Sequence, residues 1–301
     1  MKLFDPHIHM TSRTTADYEA MAAAGIRAVV EPSFWVGQPR THVGTFEDYF
    51  NMLLGWERFR ASQFGIRHFC TLSLNPKEAN SPRVAPGVVE LLPRYLDKDG
   101  VVAVGEIGYD DMTPEEDKYF AVQLELALRF DLPALVHTPH RDKKRGTERS
   151  LALIRDVGFP GERVLIDHNT EETLPLVLAT ACWAGHSIYP HTKMDEARMA
   201  ALVRRYGSAR ILINSAADWG VSDPLKVPKT VAVMRESGVP DTDVARIVWE
   251  NPVAFFRQSG RLDLPEPDAA PGIDQSRLFE GNSVLRGQSP RVARAGTDLS
   301  R

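Results

Sequence analysis

Cysteine is scarce in this chain: Cys70 and Cys182 are the two present among 301 residues. Two isolated thiols build neither a disulfide framework nor a thiolate metal cage, and each stands in an apolar run (HFCTLSL, ATACWAG). Both read as reduced core residues. No stretch approaches the roughly 18 consecutive apolar residues that a membrane-spanning helix needs. The opening MKLFDPHIHM also lacks the apolar segment of about 7 to 15 residues that marks a secretory leader, so the expected location is the cytoplasm. An excess of positive charge is missing too. Lys and Arg number 36 against 40 Asp and Glu, giving a net charge of −4. No field of the whole molecule gathers nucleic acid, and any phosphate recognition must be local.

What is present is an ordinary globular composition, 43% hydrophobic and 25% charged, which supports a large core. Short apolar runs rich in β-branched residues alternate with longer segments of helical period. Strands are expected over 2–9, 26–31, 66–74, 101–106, 132–137, 163–168, 184–189 and 210–214. Helices are expected over 16–24, 46–64, 86–96, 113–130, 148–157, 171–180, 195–206, 227–237 and 241–248. Eight strands alternating with helices predict an α/β fold, a (β/α)8 TIM barrel forming one domain over residues 1–262. Residues 263–301 (DLPEPDAAPGIDQ and onward) show no sustained period and read as an irregular, extended or partly disordered C-terminal tail.

In a parallel barrel the reactive face lies at the carboxyl ends of the strands. This chain repeatedly places metal-ligand residue types there. His7 and His9 end the first strand in FDPHIHM, Glu106 the fourth, His137 the fifth and His168 the sixth, while Asp218 follows the eighth. The i, i+2 spacing of the two histidines turns both imidazoles to one side of an extended strand. Imidazole and carboxylate without thiolate suit Zn, Mn, Fe, Co, Ni or Mg, and Glu106 is placed to bridge two divalent ions about 3.5 to 4 Å apart. The chemistry this implies is hydrolysis by a bridging hydroxide.

These pieces resemble the TatD-like metal-dependent hydrolases of the amidohydrolase superfamily. FDPHIHM resembles the family's opening D-x-H-x-H strand, GEIGYD its Glu-bearing strand, YFAVQLELALRFDLPALVHTPH its Q-x-x-x-A…P-x-x-x-H segment, and WENPVAFF its terminal E-N-P helix. AAAGIRAVVEPSFWVGQP and TPHRDKKRGTERS are further similar to a subgroup found with bacterial secondary-metabolite operons. The resemblance implies one ion held by His7, His9, Glu106 and Asp218 and another by Glu106, His137 and His168. It also implies that Asp218 orients the attacking water and takes its proton, and that Glu106 and Asp218 carry catalysis. Classical members are deoxyribonucleases. This chain departs from them in loops that normally face substrate: SAADW replaces T-D-x-P, HTPHR shifts the arginine of H-x-R by two positions, and DHNTEE replaces HCFSG.

Further rim residues read as substrate contacts. His140 and Arg141 open a basic run, Arg141 to Arg149, expected as a phosphate-binding loop. Asp110, Tyr189, His191 and Lys193 also stand on the reactive rim. Asp5 and Asp167 flank ligand histidines and are expected to fix their tautomers. His42, His68 and His186 read as structural. Phe34 and Trp35 lie in a loop long enough to wall the site, with Phe46, Tyr49 and Phe50 mostly core. The expected substrate is a small molecule carrying a phosphoester, ester or amide bond. DNA phosphodiester cleavage is the alternative, and a non-catalytic metal-binding scaffold is a third reading. No membrane partner is expected.

Overall fold

A computed structural model of the chain describes residues 1–35, 37–189 and 191–264. Eight parallel strands form one sheet in sequence order: β1 (Leu3–Asp5), β2 (Ile26–Pro32), β3 (Arg67–Leu72), β4 (Val101–Gly108), β5 (Ala134–His137), β6 (Val164–Ile166), β7 (Trp183–Ser187) and β8 (Ile211–Asn214). The segments that follow β8 and β1 close the ring at the carboxyl rim. Ala216 N–H donates to His7 O at 2.8 Å and His9 N–H donates to Ala217 O at 2.9 Å. This is a (β/α)8 barrel.

The period of two along each strand sorts side chains into an outer layer under the helices and an inner plug. Phe4, Val30, Phe69, Val102, Leu135, Leu165 and Leu212 form the inner apolar cluster. The helix Asn251–Arg257 seals its lower end with the fully buried Phe255 and Phe256. Asn251 Nδ2 anchors that helix by donating to Ser208 O and Ile211 O, both at 2.7 Å. Two residues beyond Leu135, Leu165 and Leu212 come His137, Asp167 and Asn214, so the polar layer stands directly on the apolar one.

Several boundaries differ from the sequence reading. The first strand ends at Asp5, so His7 and His9 lie just past it, before a short 3-10 turn at Met10–Ser12. The expected helix over 46–64 is a helix Val43–Asn51, a wider turn Met52–Glu57 and a helix Arg58–Ser62. A short helix Pro76–Ala79 was not foreseen. The basic run is not a loop beyond Asp142: the helix expected from 148 begins at Lys143. Its buried face there is Gly146, Thr147 and Ser150, small residues with no apolar period to reveal them, and Gly146 lies so close to Pro139 that a Cβ would clash with the ring. The tail expected from 263 falls outside the described residues except at 263 and 264. Both cysteines are free and buried.

Candidate metal centre

The loop after β1, together with β4, β5 and the turn after β6, brings three imidazoles onto one carboxylate and a fourth, His9, against His7. Glu106 Oε1 lies 3.5 Å from His7 Nε2, 3.3 Å from His137 Nδ1 and 3.2 Å from His168 Nε2. His7 Nε2 and His9 Nε2 are 3.2 Å apart, and His168 Nε2 and His137 Nδ1 are 3.1 Å apart. Donor atoms of His7, Glu106 and His168 all fall within 4.8 Å of one another, and the three residues are buried.

Burial by itself would raise the Glu106 carboxyl, but the His7 charge and hydrogen bonds from His137 and His168 hold it well below its usual range. Burial likewise opposes a charge on His7, yet Glu106 and Asp167 outweigh it and raise that imidazole. His9 is pushed down to about 3 by burial, with the His7 charge adding to the effect. His168 is held far below its usual value by burial and the nearby Lys193 ammonium.

One acid organises this layer. Asp167, fully buried, accepts from His7 Nδ1 at 2.5 Å, from His168 N–H at 2.7 Å and from Asn214 Nδ2 at 3.0 and 3.1 Å. Although burial alone would raise it, those partners keep the Asp167 carboxyl far below its ordinary value. It therefore stays ionised and keeps a proton on His7 Nδ1, so that Nε2, which faces Glu106, is the nitrogen that would give up its proton to a metal ion. Gly185 makes room for it, since a Cβ there would collide with Asp167 Oδ1. Asp5 does not share the task expected of it. Its carboxyl group meets no imidazole nitrogen: it accepts from His7 N–H at 3.3 Å and Ser215 N–H at 3.2 Å and also bonds the Ser215 side chain, at the β1–β8 seam.

The donor set fits a divalent cation. Two imidazole lone pairs at 3.2 Å repel unless a proton or a cation lies between them, and His9 Nδ1 is buried with no hydrogen-bond partner. Imidazole and carboxylate oxygen at these separations are the ligands of such ions.

A cavity of about 190 Å³ opens over this cluster. His7, His9, Glu106, His137, His168 and Asp218 all line it, as do Asp110, His140 and Lys193. Lys193 Nζ stands 3.1 Å from His168 Nδ1, which also meets Ser187 Oγ at 2.7 Å. Asp218 is on the wall, but its Oδ1 accepts from Tyr189 Oη at 2.8 Å and from Gly220 N–H at 2.9 Å. His140 is pushed down to about 4 by burial and then by Lys193.

Arg141 and His191, two of the expected substrate contacts, do not line the cavity. Arg141 turns outward to Asp111 at 2.7 Å, and His191 is exposed. Arg149, which ends the basic run, is bonded to Asp117 and to Met112 O. Tyr189 lines a side cleft with Asp218 and Lys193. Phe34 stacks on His9, ring centroids 3.6 Å apart at 23°, and Trp35 lines the same cavity under the Lys77 ammonium. Asn75, Ser187 and Asn214 had escaped notice. The last two are polar residues spaced two beyond the inward-facing Gly185 and Leu212, a register signal that would have exposed them.

The profile of the family described as TatD related DNase matches residues 4–257. An uncharacterized metal-dependent hydrolase of Methanocaldococcus jannaschii is 26% identical over 260 residues, covering 85% of this chain and 100% of that protein. The crystal structure of a TatD-like protein from Archaeoglobus fulgidus superposes with a TM-score of 0.69 at 29% identity, over 84% of this chain and 99% of that one. The phosphotriesterase homology protein of Escherichia coli, solved with phosphate in its active site, shares the fold. It has a TM-score of 0.62 at 16% identity, over 85% of this chain and 98% of that one.

Proposed function

The chain belongs to the TatD-related DNase family, and from that premise we propose that it is a metal-dependent hydrolase that cleaves a phosphoester, ester or amide bond in a small molecule. The observation that carries the reading is the buried His7, Glu106 and His168 cluster at the floor of an open cavity. One ion would be held by His7, His9, Glu106 and Asp218, a second by Glu106, His137 and His168. Such ions, when bound, polarise the scissile group and make water acidic enough to ionise near neutrality.

The chain's own groups do the rest. Glu106 remains ionised because its imidazole neighbours favour the charge. Asp218, with Oδ1 occupied by Tyr189 and Gly220, has Oδ2 to take the proton of the attacking water. Lys193 offers its ammonium to an anionic oxygen of the substrate, and Asp110 and His140 contact substrate from the rim. Phe34 and Trp35 exclude water on one side. A small substrate is favoured by the cavity of about 190 Å³ and by the turning of Arg141 and Arg149 to acids, which takes both ends of the basic run out of reach of a phosphate backbone.

The test combines metal analysis by mass spectrometry with a panel of phosphoesters, lactones, amides and single-stranded DNA, comparing wild type with Glu106→Ala. Turnover of one small-molecule class, lost together with metal in the variant, is expected. Digestion of DNA in preference to every small molecule would replace this reading with a nuclease, and full metal occupancy without any turnover would replace it with a scaffold.

A further inference from the structure

Asp218 lines the metal cavity, and the next residue, Trp219, leaves 58% of its surface exposed. Val221, two residues on, is 79% exposed, so two large apolar side chains stand open to water beside the metal cavity. Trp219 lines a second hollow, a groove of about 650 Å³, together with Thr11, Gln38, Pro39, Tyr49 and Met52. The groove's lining is joined to the cavity's through neighbouring residues of the chain. Trp219 is one residue past Asp218, Thr11 is two past His9, and the Arg13 guanidinium bonded to Asp218 O ties the two loops together.

Its charge says what fits. Arg40, on the groove floor, is buried and paired with Glu78 at 2.6 Å, and it lies 4.4 Å and 4.5 Å from the ring centroids of Phe46 and Tyr49. That cation is spent. The remaining charge in the lining is the Asp48 carboxylate, which repels phosphates and carboxylates. Thr11 Oγ1, on the same wall, is buried without a hydrogen-bond partner. An anionic chain therefore finds no track here, whereas a flat uncharged ring finds an exposed indole to stack on.

We propose that this groove is a substrate subsite for a planar, uncharged ring, an aryl group or a nucleobase, stacked on Trp219 while the scissile bond lies over Glu106 and the histidines. The proposal rests on the hydrolase reading above for the second half of that statement, and on the groove alone for the first. It makes Trp219 a specificity-determining residue that selects substrates bearing a ring on one side of the cleaved bond.

Two measurements test it. Equilibrium dialysis with 4-nitrobenzyl alcohol probes the groove without turnover: saturable binding is expected, weakened on the order of tenfold in Trp219→Ala and recovered in Trp219→Phe. Hydrolysis by metal-loaded enzyme is then compared, as phosphate released, for phenyl phosphate, thymidine 5′-phosphate and methyl phosphate, the last of which carries no ring; differences in intrinsic reactivity cancel between wild type and variant. The kcat/KM ratio of either ring substrate over the methyl one is expected to fall about tenfold in Trp219→Ala, mainly through KM. A larger fall for thymidine 5′-phosphate assigns the ring to a nucleobase, and a larger fall for phenyl phosphate to an aryl group. Dialysis that is the same in wild type and Trp219→Ala overturns the subsite. Failure of wild type to hydrolyse any of the three counts against the phosphoester reading while dialysis still decides the groove.

Discussion

Replacing Asp167 by Asn changes one atom and tests the whole polar layer. Asp167 is fully buried and accepts four hydrogen bonds, at 2.5 Å from His7 Nδ1, 2.7 Å from His168 N–H, and 3.0 and 3.1 Å from Asn214 Nδ2. An amide has one accepting oxygen and one donating nitrogen. If the oxygen keeps His7, the NH2 group faces the His168 N–H and the Asn214 amide, donor against donor. If it is flipped, the NH2 faces His7 Nδ1 and forces the proton onto Nε2, which occupies the lone pair that must bind metal. Either arrangement penalises metal binding. Partners that orient ligating histidines contribute about 10- to 100-fold in affinity, or roughly 1.4 to 2.7 kcal/mol. Competition titration of zinc or manganese against a chromophoric chelator would read that loss directly. Asp5→Asn is the comparison, because Asp5 bonds Ser215 and the His7 backbone N–H rather than an imidazole, and its loss should weaken metal binding much less. Asp167→Asn protein that binds metal within about twofold of wild type would refute the assignment of Asp167 as the group that sets the His7 tautomer.

Two other predictions concern stability. His186 is fully buried with no side chain bonded to its ring, and burial pushes it from 6.5 down to about 4. The unfolded chain therefore takes up this proton first as pH falls, so the stability that neutral His186 leaves intact at pH 7 drains away between pH 6.5 and about 4. The loss amounts to about 3 kcal/mol, and urea midpoints across that window should fall less steeply in His186→Leu; an unchanged acid slope would contradict it. Gly185→Ala places a Cβ against Asp167 Oδ1 and Cγ. It should cost about 1 to 3 kcal/mol in chemical denaturation and weaken metal binding in the same direction as Asp167→Asn, and a variant of wild-type stability would show that the β6–β7 spacing is slack.

The barrel could be read ahead of any coordinates because it follows from local rules. Alternation of short β-branched runs with amphipathic segments reports which faces are buried, and eight such units leave little choice of architecture. The gathering of ligand types was legible for the same reason: parallel strands that share a direction bring their carboxyl ends to one rim, where His7, His9, Glu106, His137, His168 and Asp218 were expected and where all six line one cavity. The helix start at Lys143 was hidden because its buried residues are Gly, Thr and Ser, which carry no hydrophobic period.

Partnership across the barrel is another matter, since it depends on register and on which loops fold over the rim. Nothing in the order of residues distinguishes Asp167, bonded to His7 from 160 positions away, from Asp5, which stands two positions from the same histidine and touches only its backbone. Sequence distance misleads here, because the barrel's curvature brings β6 opposite β1 while neighbours along a strand diverge. The basic run from Arg141 looked like one phosphate-binding surface, yet Arg141 is drawn to Asp111 and Arg149 to Asp117 by loops that only the folded chain juxtaposes. The groove under Trp219 joins segments near residues 11, 40, 50 and 219, and its lack of free cations is a property of pairs such as Arg40 with Glu78 rather than of composition. Local periodicity is a one-dimensional signal and sets the fold class and the rim; charge compensation, tautomer and subsite shape are pairwise quantities, and they exist once the chain has closed on itself.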